Sequence, residues 1–186
     1  MLDNLRADAR RLELAGRLPY PWSLIESLLF DNGFQAVVLY RMASALKRWR
    51  IPLLGPAIAR LSVFLTGVDI SPSAEIGPGL RISHGVGTVV GGAARIGPGA
   101  VLLHQVTLGS PSERRVGEMP TLGANVFVSA GAKLIGKIEV GDDVVIGPNA
   151  VVTEDVPGQH KVLAASGVEI APRRKALAPA EPPADA

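Results

Sequence analysis

Two histidines, His84 and His104, are the side chains of this sequence best suited to acid–base chemistry near neutral pH. An imidazole can accept the proton of a hydroxyl group as that hydroxyl attacks a carbonyl carbon, which is the step on which acyl transfer depends. His84 stands in the glycine-rich run Ser83-His84-Gly85-Val86-Gly87. The chain contains no cysteine, so a thiol nucleophile, a thiolate metal site and a disulfide framework are excluded.

The elements that must position these histidines follow a six-residue repeat. Steps of six from Ile70, with a two-residue insertion after Ile82 and a long interruption after Leu108, reach thirteen positions that are all Ile, Leu or Val. Seven of the thirteen are followed directly by glycine, which suits a chain that turns after each short strand. The positions are Ile70, Ile76, Ile82, Val90, Ile96, Leu102, Leu108, Leu122, Val128, Leu134, Val140, Ile146 and Val152.

This repeat predicts a mainly β fold, a parallel β-helix in which each hexad forms one flat side of a triangular coil and points its aliphatic residue inward. An ordinary sandwich is the alternative, but alternation of period two does not require an aliphatic residue at every sixth position. His84 and His104 each lie two residues after an inner position, and their hexads are one coil apart. We therefore expect the two histidines to stack on one face, about 5 Å apart.

The interruptions of the repeat indicate where the site lies, because insertions in a solenoid form loops that leave the stack. The two-residue insertion beside His84 predicts a bulge that re-aims the imidazole. The long excursion covers residues 110–121 and contains Glu113, Arg114, Arg115 and Glu118. We expect His84 to be the reactive imidazole and His104 to be a stacked partner or a pocket wall.

Composition divides the chain into three regions. Residues 1–66 show helical spacing of apolar side chains, residues 67–157 form the β-helix domain, and residues 158–186 form an extension whose Pro- and Ala-rich end after Ala171 is expected to be disordered. The most apolar window, residues 51–68, contains two prolines and an arginine and is expected to be a buried helix, not a membrane span.

Charge and the N-terminal sequence bear on location and partners. The 19 Lys and Arg residues nearly balance the 17 Asp and Glu residues, so we do not expect nucleic acid as a partner. The first ten residues alternate charged and apolar side chains and lack the apolar stretch of a signal peptide, so a cytoplasmic location is expected.

Five segments between residues 18 and 157 resemble the serine acetyltransferases, a family of hexapeptide-repeat acyltransferases. The resemblance implies a left-handed coil, acetyl-CoA as co-substrate, no metal, and a homotrimer or a dimer of trimers paired through the helical region. The segments are Gly33-Phe34-Gln35-Ala36 with Leu39-Tyr40-Arg41, Gly67-Val68-Asp69-Ile70-Ser71-Pro72, Ile82-Ser83-His84-Gly85, Val106-Thr107-Leu108-Gly109 and Ser129-Ala130-Gly131-Ala132-Lys133.

The resemblance also implies roles for individual residues. His84 corresponds to the general base that takes the proton of the acceptor hydroxyl, and Asp69 corresponds to the aspartate that orients it. Backbone N–H groups near Gly109 would stabilise the oxyanion. CoA would lie in a groove between subunits along small residues, each of which has a tight solenoid corner as its alternative explanation. These residues are Ala130, Gly131, Ala132 and Gly147.

Departures from the family pattern concern the acceptor pocket, which we expect at Ser83, His104, Glu118 and Met119. The family has Asp where Ser83 stands, Arg-His-Pro where Glu118-Met119-Pro120 stands, and Asp-Pro where the nearest equivalent is Leu18-Pro19. It also carries a Gly-x-Pro-Ala signature after the last coil that is missing here. The family residues at these positions grip the ammonium and carboxylate groups of serine. The departures predict an O-acetyltransferase whose acceptor is not free serine, with a saccharide as the leading class.

Two alternatives remain open. One is a divergent serine acetyltransferase that makes O-acetylserine for cysteine biosynthesis, and kinetics with L-serine would identify it. The other, of a different class, is a non-catalytic assembly subunit that keeps the solenoid. The presence of His84, Asp69 and the run 106–109 together argues against this second alternative.

Overall fold

The computed structural model describes residues 2–13 and 22–164. Within these residues four helices come first: α1 (Leu2–Glu13), α2 (Trp22–Phe30), α3 (Asn32–Arg48) and α4 (Leu54–Thr66). The change from helices to strands falls between Thr66 and Asp69. The Leu18-Pro19 pair and the tail after Ala171 lie outside the described residues.

Fourteen short strands follow within the described part of the chain, and a short 3-10 helix (Glu113–Arg115) lies in the excursion between the seventh and eighth strands. The strands are β1 (Asp69–Ile70), β2 (Glu75–Ile76), β3 (Arg81–Ile82), β4 (Val89–Val90), β5 (Arg95–Ile96), β6 (Val101–Leu102), β7 (Thr107–Gly109), β8 (Thr121–Leu122), β9 (Phe127–Val128), β10 (Lys133–Ile135), β11 (Glu139–Val140), β12 (Val145–Ile146), β13 (Val151–Val152) and β14 (Lys161–Val162).

The strands stack into three parallel sheets, and up to β13 each sheet takes every third strand. Their orders are β1-β4-β7-β10-β13, β2-β5-β8-β11 and β3-β6-β9-β12-β14. In the first sheet Ile70 pairs with Val90 and Val90 with Leu108, so inner residues of successive coils lie on one another. This arrangement confirms the parallel β-helix that the repeat predicts.

The core of the solenoid consists of two stacked sets of inner residues. All thirteen positions of the six-residue repeat are buried, and none is more than 7% exposed. A second set has the same period, and each of its members lies two residues before a member of the first set. These positions were not among those predicted to be buried. The members of the second set, none more than 4% exposed, are Val68, Ala74, Leu80, Thr88, Ala94, Ala100, Val106, Val126, Ala132, Ile138, Val144 and Ala150. Many are small because they lie at the narrow corners of the prism.

Residues with a left-handed backbone conformation recur at a fixed position in the turns that connect the strands. At two of the three corners the residue three positions before the next inner residue has a positive φ, as at Gly99 (75°), Asn125 (56°) and Asp143 (57°). Asparagine and aspartate tolerate this conformation better than other residues with a side chain. Asn125 Nδ2 also donates to Asp143 Oδ1 at 3.1 Å, which links two successive coils.

Helix α3 attaches the helical region to the first coil. Asp31 caps its N-terminus by accepting hydrogen bonds from Gly33 N at 2.9 Å and Phe34 N at 3.1 Å. Further along the helix, Tyr40 Oη donates to Ala74 O at 2.7 Å, and Arg41 Nη1 donates to Ile76 O at 2.7 Å. These contacts fix the orientation of α3 against β2 and its turn.

The expectation of a buried helix over residues 51–68 is wrong. Helix α4 buries only Gly55, Ser62 and Thr66 and packs mainly against α3. Phe64 and Leu65 are 75% and 64% exposed, because α4 contacts the solenoid mainly at β1. In the described ranges no helix is long and apolar enough to cross a membrane.

Candidate active site

His84 lies on a bulge at the corner between β3 and β4. Its φ is +55°. The regular left-handed corner position before Val90 is Gly87, so His84 has a positive φ at an additional position. The following residue, Gly85, is buried against the prism. A Cβ added to Gly85 would lie 2.6 Å from Ile82 Cγ2 and 2.7 Å from Val68 Cγ2, so only glycine lets the bulge lie this close. The predicted bulge therefore exists, and His84 is exposed on it.

Asp69 belongs to the strand next to this bulge. Asp69 N donates to Thr88 O at 2.9 Å, and Gly87 N donates to Gly67 O at 2.8 Å, so the end of the bulge is tied to the start of β1. Asp69, however, lines a groove of about 620 Å³ together with residues of α4 and the preceding turn. Among the described residues no side-chain hydrogen bond joins Asp69 to His84.

His104 lies one coil below His84, as the repeat predicts. Ile82 pairs with Leu102 in the third sheet, and each histidine is two residues beyond that pair. The main-chain oxygen of His104 accepts a hydrogen bond from Gly131 N at 3.0 Å. Its Nδ1 is buried and has no hydrogen-bond partner within the part of the chain that the structure describes. A buried polar atom without a partner is costly, which makes His104 a candidate to meet a bound group.

The groove in front of His84 has a volume of about 470 Å³. Its walls combine two guanidinium groups, the hydroxyl of Ser83, the imidazole of His84 and three apolar side chains. The lining residues are Arg11, Arg81, Ser83, His84, Val101, Leu103 and Phe127. None of them is acidic, so the groove is cationic next to the candidate base.

The two excursion residues expected in the acceptor pocket lie elsewhere in the single chain. Met119 packs so closely on Gly91 that a Cβ added there would lie 2.3 Å from Met119 Sδ, and Met119 lines a separate groove of about 310 Å³. Glu118 is ion-paired with Arg115. The structure therefore groups Ser83 with His84 but does not bring Glu118 or Met119 to them within one chain.

The ion pair in the excursion changes the electrostatics expected of Glu118. Arg115 Nε donates to Glu118 Oε1 at 2.8 Å. This hydrogen bond holds the pKa of the Glu118 carboxyl below its ordinary value, and it raises the pKa of Arg115. Glu118 is thus ionised at neutral pH, with its charge balanced by a neighbour in the same loop.

Gly109 ends β7, and its partner in the neighbouring strand is Ile135. Two residues earlier, Thr107 N donates to Ala132 O at 3.0 Å. The same parallel pattern directs the N–H of Gly109 at the carbonyl of Leu134. Gly109 O accepts a hydrogen bond from Gly136 N at 3.0 Å. The polar groups of Gly109 itself therefore belong to the sheet, and any oxyanion donor must lie beside it.

The four small residues assigned to CoA fall into two groups. Ala130 and Gly131 form a partly exposed corner, where Asn149 N donates to Ala130 O at 2.9 Å and Gly131 has a φ of +74°. Ala132 is fully buried in the prism. Gly147 is buried under β14, where a Cβ would lie 2.8 Å from Val162 O. The small size of Ala132 and Gly147 is explained by packing, and neither offers a side-chain surface to a ligand.

Comparisons with known proteins agree with this architecture. Residues 119–154 match the family of bacterial transferase hexapeptide repeats (six repeats). A serine acetyltransferase of Helicobacter pylori (strain 26695) is 46% identical over 132 residues, which cover 71% of this chain and 77% of that protein. A serine acetyltransferase of Synechococcus elongatus is 39% identical over 167 residues, covering 90% of this chain and 68% of that protein. The chain belongs to the serine acetyltransferase family.

Solved structures of this family have the same fold. Serine acetyltransferase isoform 3 of Entamoeba histolytica, in complex with cysteine, superimposes with a TM-score of 0.78 at 26% identity over 91% of this chain. The Neisseria gonorrhoeae serine acetyltransferase in complex with serine gives 0.76 at 31% identity over 87%. The chain spans 60% and 66% of the lengths of these two proteins. The solenoid is a left-handed β-helix, and the protein is an acyltransferase, which removes the non-catalytic alternative.

In the described residues no group of three or more His, Asp or Glu side chains is placed to hold a metal ion.

Proposed function

We propose that this protein transfers the acetyl group of acetyl-CoA to the hydroxyl group of L-serine. The observation that carries the proposal is His84 itself, an imidazole exposed on a glycine-dependent bulge above a cationic groove. Support for the acceptor comes from relatives named serine acetyltransferase that are 36–46% identical to this chain.

His84 acts as the general base in this proposal. It accepts the proton of the serine hydroxyl while the hydroxyl oxygen attacks the thioester carbonyl of acetyl-CoA. The tetrahedral oxyanion is stabilised by backbone N–H groups beside Gly109. When the intermediate collapses, the C–S bond breaks and the imidazolium returns its proton to the departing sulfur of CoA. O-acetylserine and CoA are the products, and His84 is regenerated.

Asp69 orients the imidazole in the proposed mechanism. The backbone bonds between Asp69 and Thr88 and between Gly67 and Gly87 couple its strand to the bulge. Since no hydrogen bond joins the two side chains in the described residues, this role requires them to come together when substrates bind. An aspartate that fixes the tautomer of a catalytic histidine is worth a large part of the rate in related triads.

Serine is favoured over a saccharide because one of the grounds for a different acceptor is weakened. An unpaired Glu118 would repel the carboxylate of serine, but Arg115 offsets this charge within the excursion loop. A second ground, Ser83 in place of an aspartate, still implies a weaker grip on the ammonium group, and a third, Leu18-Pro19, lies outside the described residues. The relatives reported above are named serine acetyltransferase.

A homotrimer would complete the site. In one chain the His84 groove and the excursion loop with Glu118 and Met119 are separate, so the loop of a neighbouring subunit has to supply the opposite wall. The pantetheine arm of CoA would run between the subunits along the partly exposed corner at Ala130 and Gly131.

Parallel assays of the purified protein test the proposal. With acetyl-CoA present, thiol release and the mass of the product are measured for L-serine and for a panel of neutral mono- and oligosaccharides. We expect acetylation of L-serine with a Michaelis constant in the millimolar range or below, and slower turnover of every sugar. Acetylated sugar with unchanged L-serine would overturn the proposal in favour of a saccharide acceptor.

A further inference from the structure

Two guanidinium groups, Arg11 and Arg81, line the groove in front of His84 and have no role in the proposed proton transfer. Arg81 is the first residue of β3. Because Ile82 points into the prism, Arg81 and Ser83 both project from the outer face of the strand. The guanidinium of Arg81 is therefore on the same side as Ser83, three residues before the base.

Arg11 reaches the same groove from helix α1. Asp8 fixes that helix by accepting a hydrogen bond from Leu80 N, the residue next to Arg81, at 2.9 Å. Arg11 follows Asp8 by three residues and thus lies on the same face of the helix. Its Nη2 donates to Gly99 O, one coil further along, at 2.6 Å. The helix is held so that Arg11 stands beside the groove.

No acidic residue lines the groove beside the two cations. Among the side chains that the structure describes, neither Arg11 nor Arg81 forms an ion pair. Both guanidinium groups are only partly exposed. The apolar wall of Val101, Leu103 and Phe127 lowers the local polarity, which strengthens attraction for an anion.

We propose that Arg81, assisted by Arg11, binds the carboxylate of the acceptor and so determines its specificity. The inference rests on the proposed function, since it gives the carboxylate of L-serine a partner that Glu118 and Met119, which stand where the family has Arg-His, do not supply. A planar guanidinium holds a carboxylate with two parallel charge-assisted hydrogen bonds. An anchor on β3 directs the serine hydroxyl toward His84, which follows on the same chain segment.

Kinetics with two acceptors that differ only in charge test this subsite. L-serine and its neutral amide, L-serinamide, are compared at saturating acetyl-CoA with the wild-type protein and with Arg81→Met. We expect Arg81→Met to lower kcat/KM for L-serine about 10- to 100-fold, the usual effect of losing a charged hydrogen bond, mainly through KM. The value for L-serinamide and the KM for acetyl-CoA should stay within about threefold.

Two further variants control for structural effects. Arg81→Lys keeps the positive charge without the planar fork and should fall between the wild type and Arg81→Met. Arg6→Met removes an arginine of helix α1 that is paired with exposed Asp3 and lies outside the groove. It should leave the preference for L-serine over L-serinamide unchanged.

The outcomes separate this inference from the proposed function. Equal losses for L-serine and L-serinamide in Arg81→Met, or no loss for either, would overturn the carboxylate subsite while the serine acetyltransferase activity stands. A raised KM for acetyl-CoA with an unchanged L-serine preference would also overturn it and would assign Arg81 to a phosphate of CoA. Failure of the wild-type protein to acetylate L-serine would overturn both proposals.

Discussion

Asp8 and Arg41 form a buried ion pair in which Arg41 Nε and Nη2 donate to the two carboxylate oxygens at 2.9 and 3.1 Å. Their side chains are 0% and 6% exposed. The same carboxylate accepts a hydrogen bond from Leu80 N, so the pair joins α1, α3 and the first coil. Arg41 also donates to the carbonyl of Gly77 at 2.6 Å, which satisfies the guanidinium further.

Replacement of Asp8 by alanine should therefore destabilise the fold strongly. It leaves the Arg41 charge buried without its partner, a change that typically costs about 3–5 kcal/mol. Unfolding in urea, followed by circular dichroism, measures the loss. Asp3→Ala is the matched control, because Asp3 forms only an exposed contact with Arg6 and should change stability little. Equal stabilities for the two variants would contradict a structural role of the buried pair.

Gly85→Ala tests the bulge that carries His84. The added Cβ would meet Ile82 Cγ2 and Val68 Cγ2 at 2.6 and 2.7 Å, so the bulge has to lift from the prism. We expect a loss of about 1–3 kcal/mol in stability, as for overpacked cores, and a large fall in acetyl transfer. Gly117→Ala in the excursion is the control, since a Cβ there meets nothing within 4 Å. Wild-type activity in Gly85→Ala would mean that the bulge geometry is not needed.

Leu134→Ala tests the packing of the prism. Leu134 is fully buried between Leu108 and Val152 of the neighbouring coils. Truncation of such a residue costs about 2–5 kcal/mol. Val151→Ala removes an aliphatic side chain that is 68% exposed on the outer face and should cost less than about 0.5 kcal/mol. Denaturant midpoints compare the two, and a loss below about 1 kcal/mol in Leu134→Ala would require a different register.

The pKa of Glu118 reports whether its carboxylate is paired with Arg115 of the same loop in solution. The hydrogen bond from Arg115 lowers this pKa, so the pair is intact above the ordinary carboxyl range and is lost as pH falls through the lowered value. NMR titration of the Glu118 carboxyl carbon should show a pKa below 4.5, its ordinary value, and Arg115→Gln should return it toward that value. A pKa at or above 4.5 in the wild type would restore the expectation of a free, repelling carboxylate.

The six-residue repeat made the solenoid predictable, because a coil of fixed length repeats its chemistry in the sequence. The thirteen inner positions and the bulge at His84 follow from that period and from its one small insertion. The second inner set, from Val68 to Ala150, has the same period but is less conspicuous, since five of its twelve members are alanine.

The contacts between helices and coils could not be predicted in this way. Asp8 and Arg41 are 33 residues apart, and Arg11 and Gly99 are 88 apart, with no periodic pattern to link them. The cationic groove was missed for the same reason, because Arg11 and Arg81 belong to different regions of the chain. The exposure of Phe64 and Leu65 also depends on where α4 docks, which its composition does not encode.

The measurement that tests the account most directly is the rate of acetyl transfer from acetyl-CoA to L-serine by His84→Ala. We predict a fall of about two to four orders of magnitude relative to the wild type, with CoA binding by calorimetry nearly unchanged. His104→Ala, one coil below, should lose less. Transfer at the wild-type rate by His84→Ala, or a larger loss in His104→Ala than in His84→Ala, would contradict the assignment of His84 as the base.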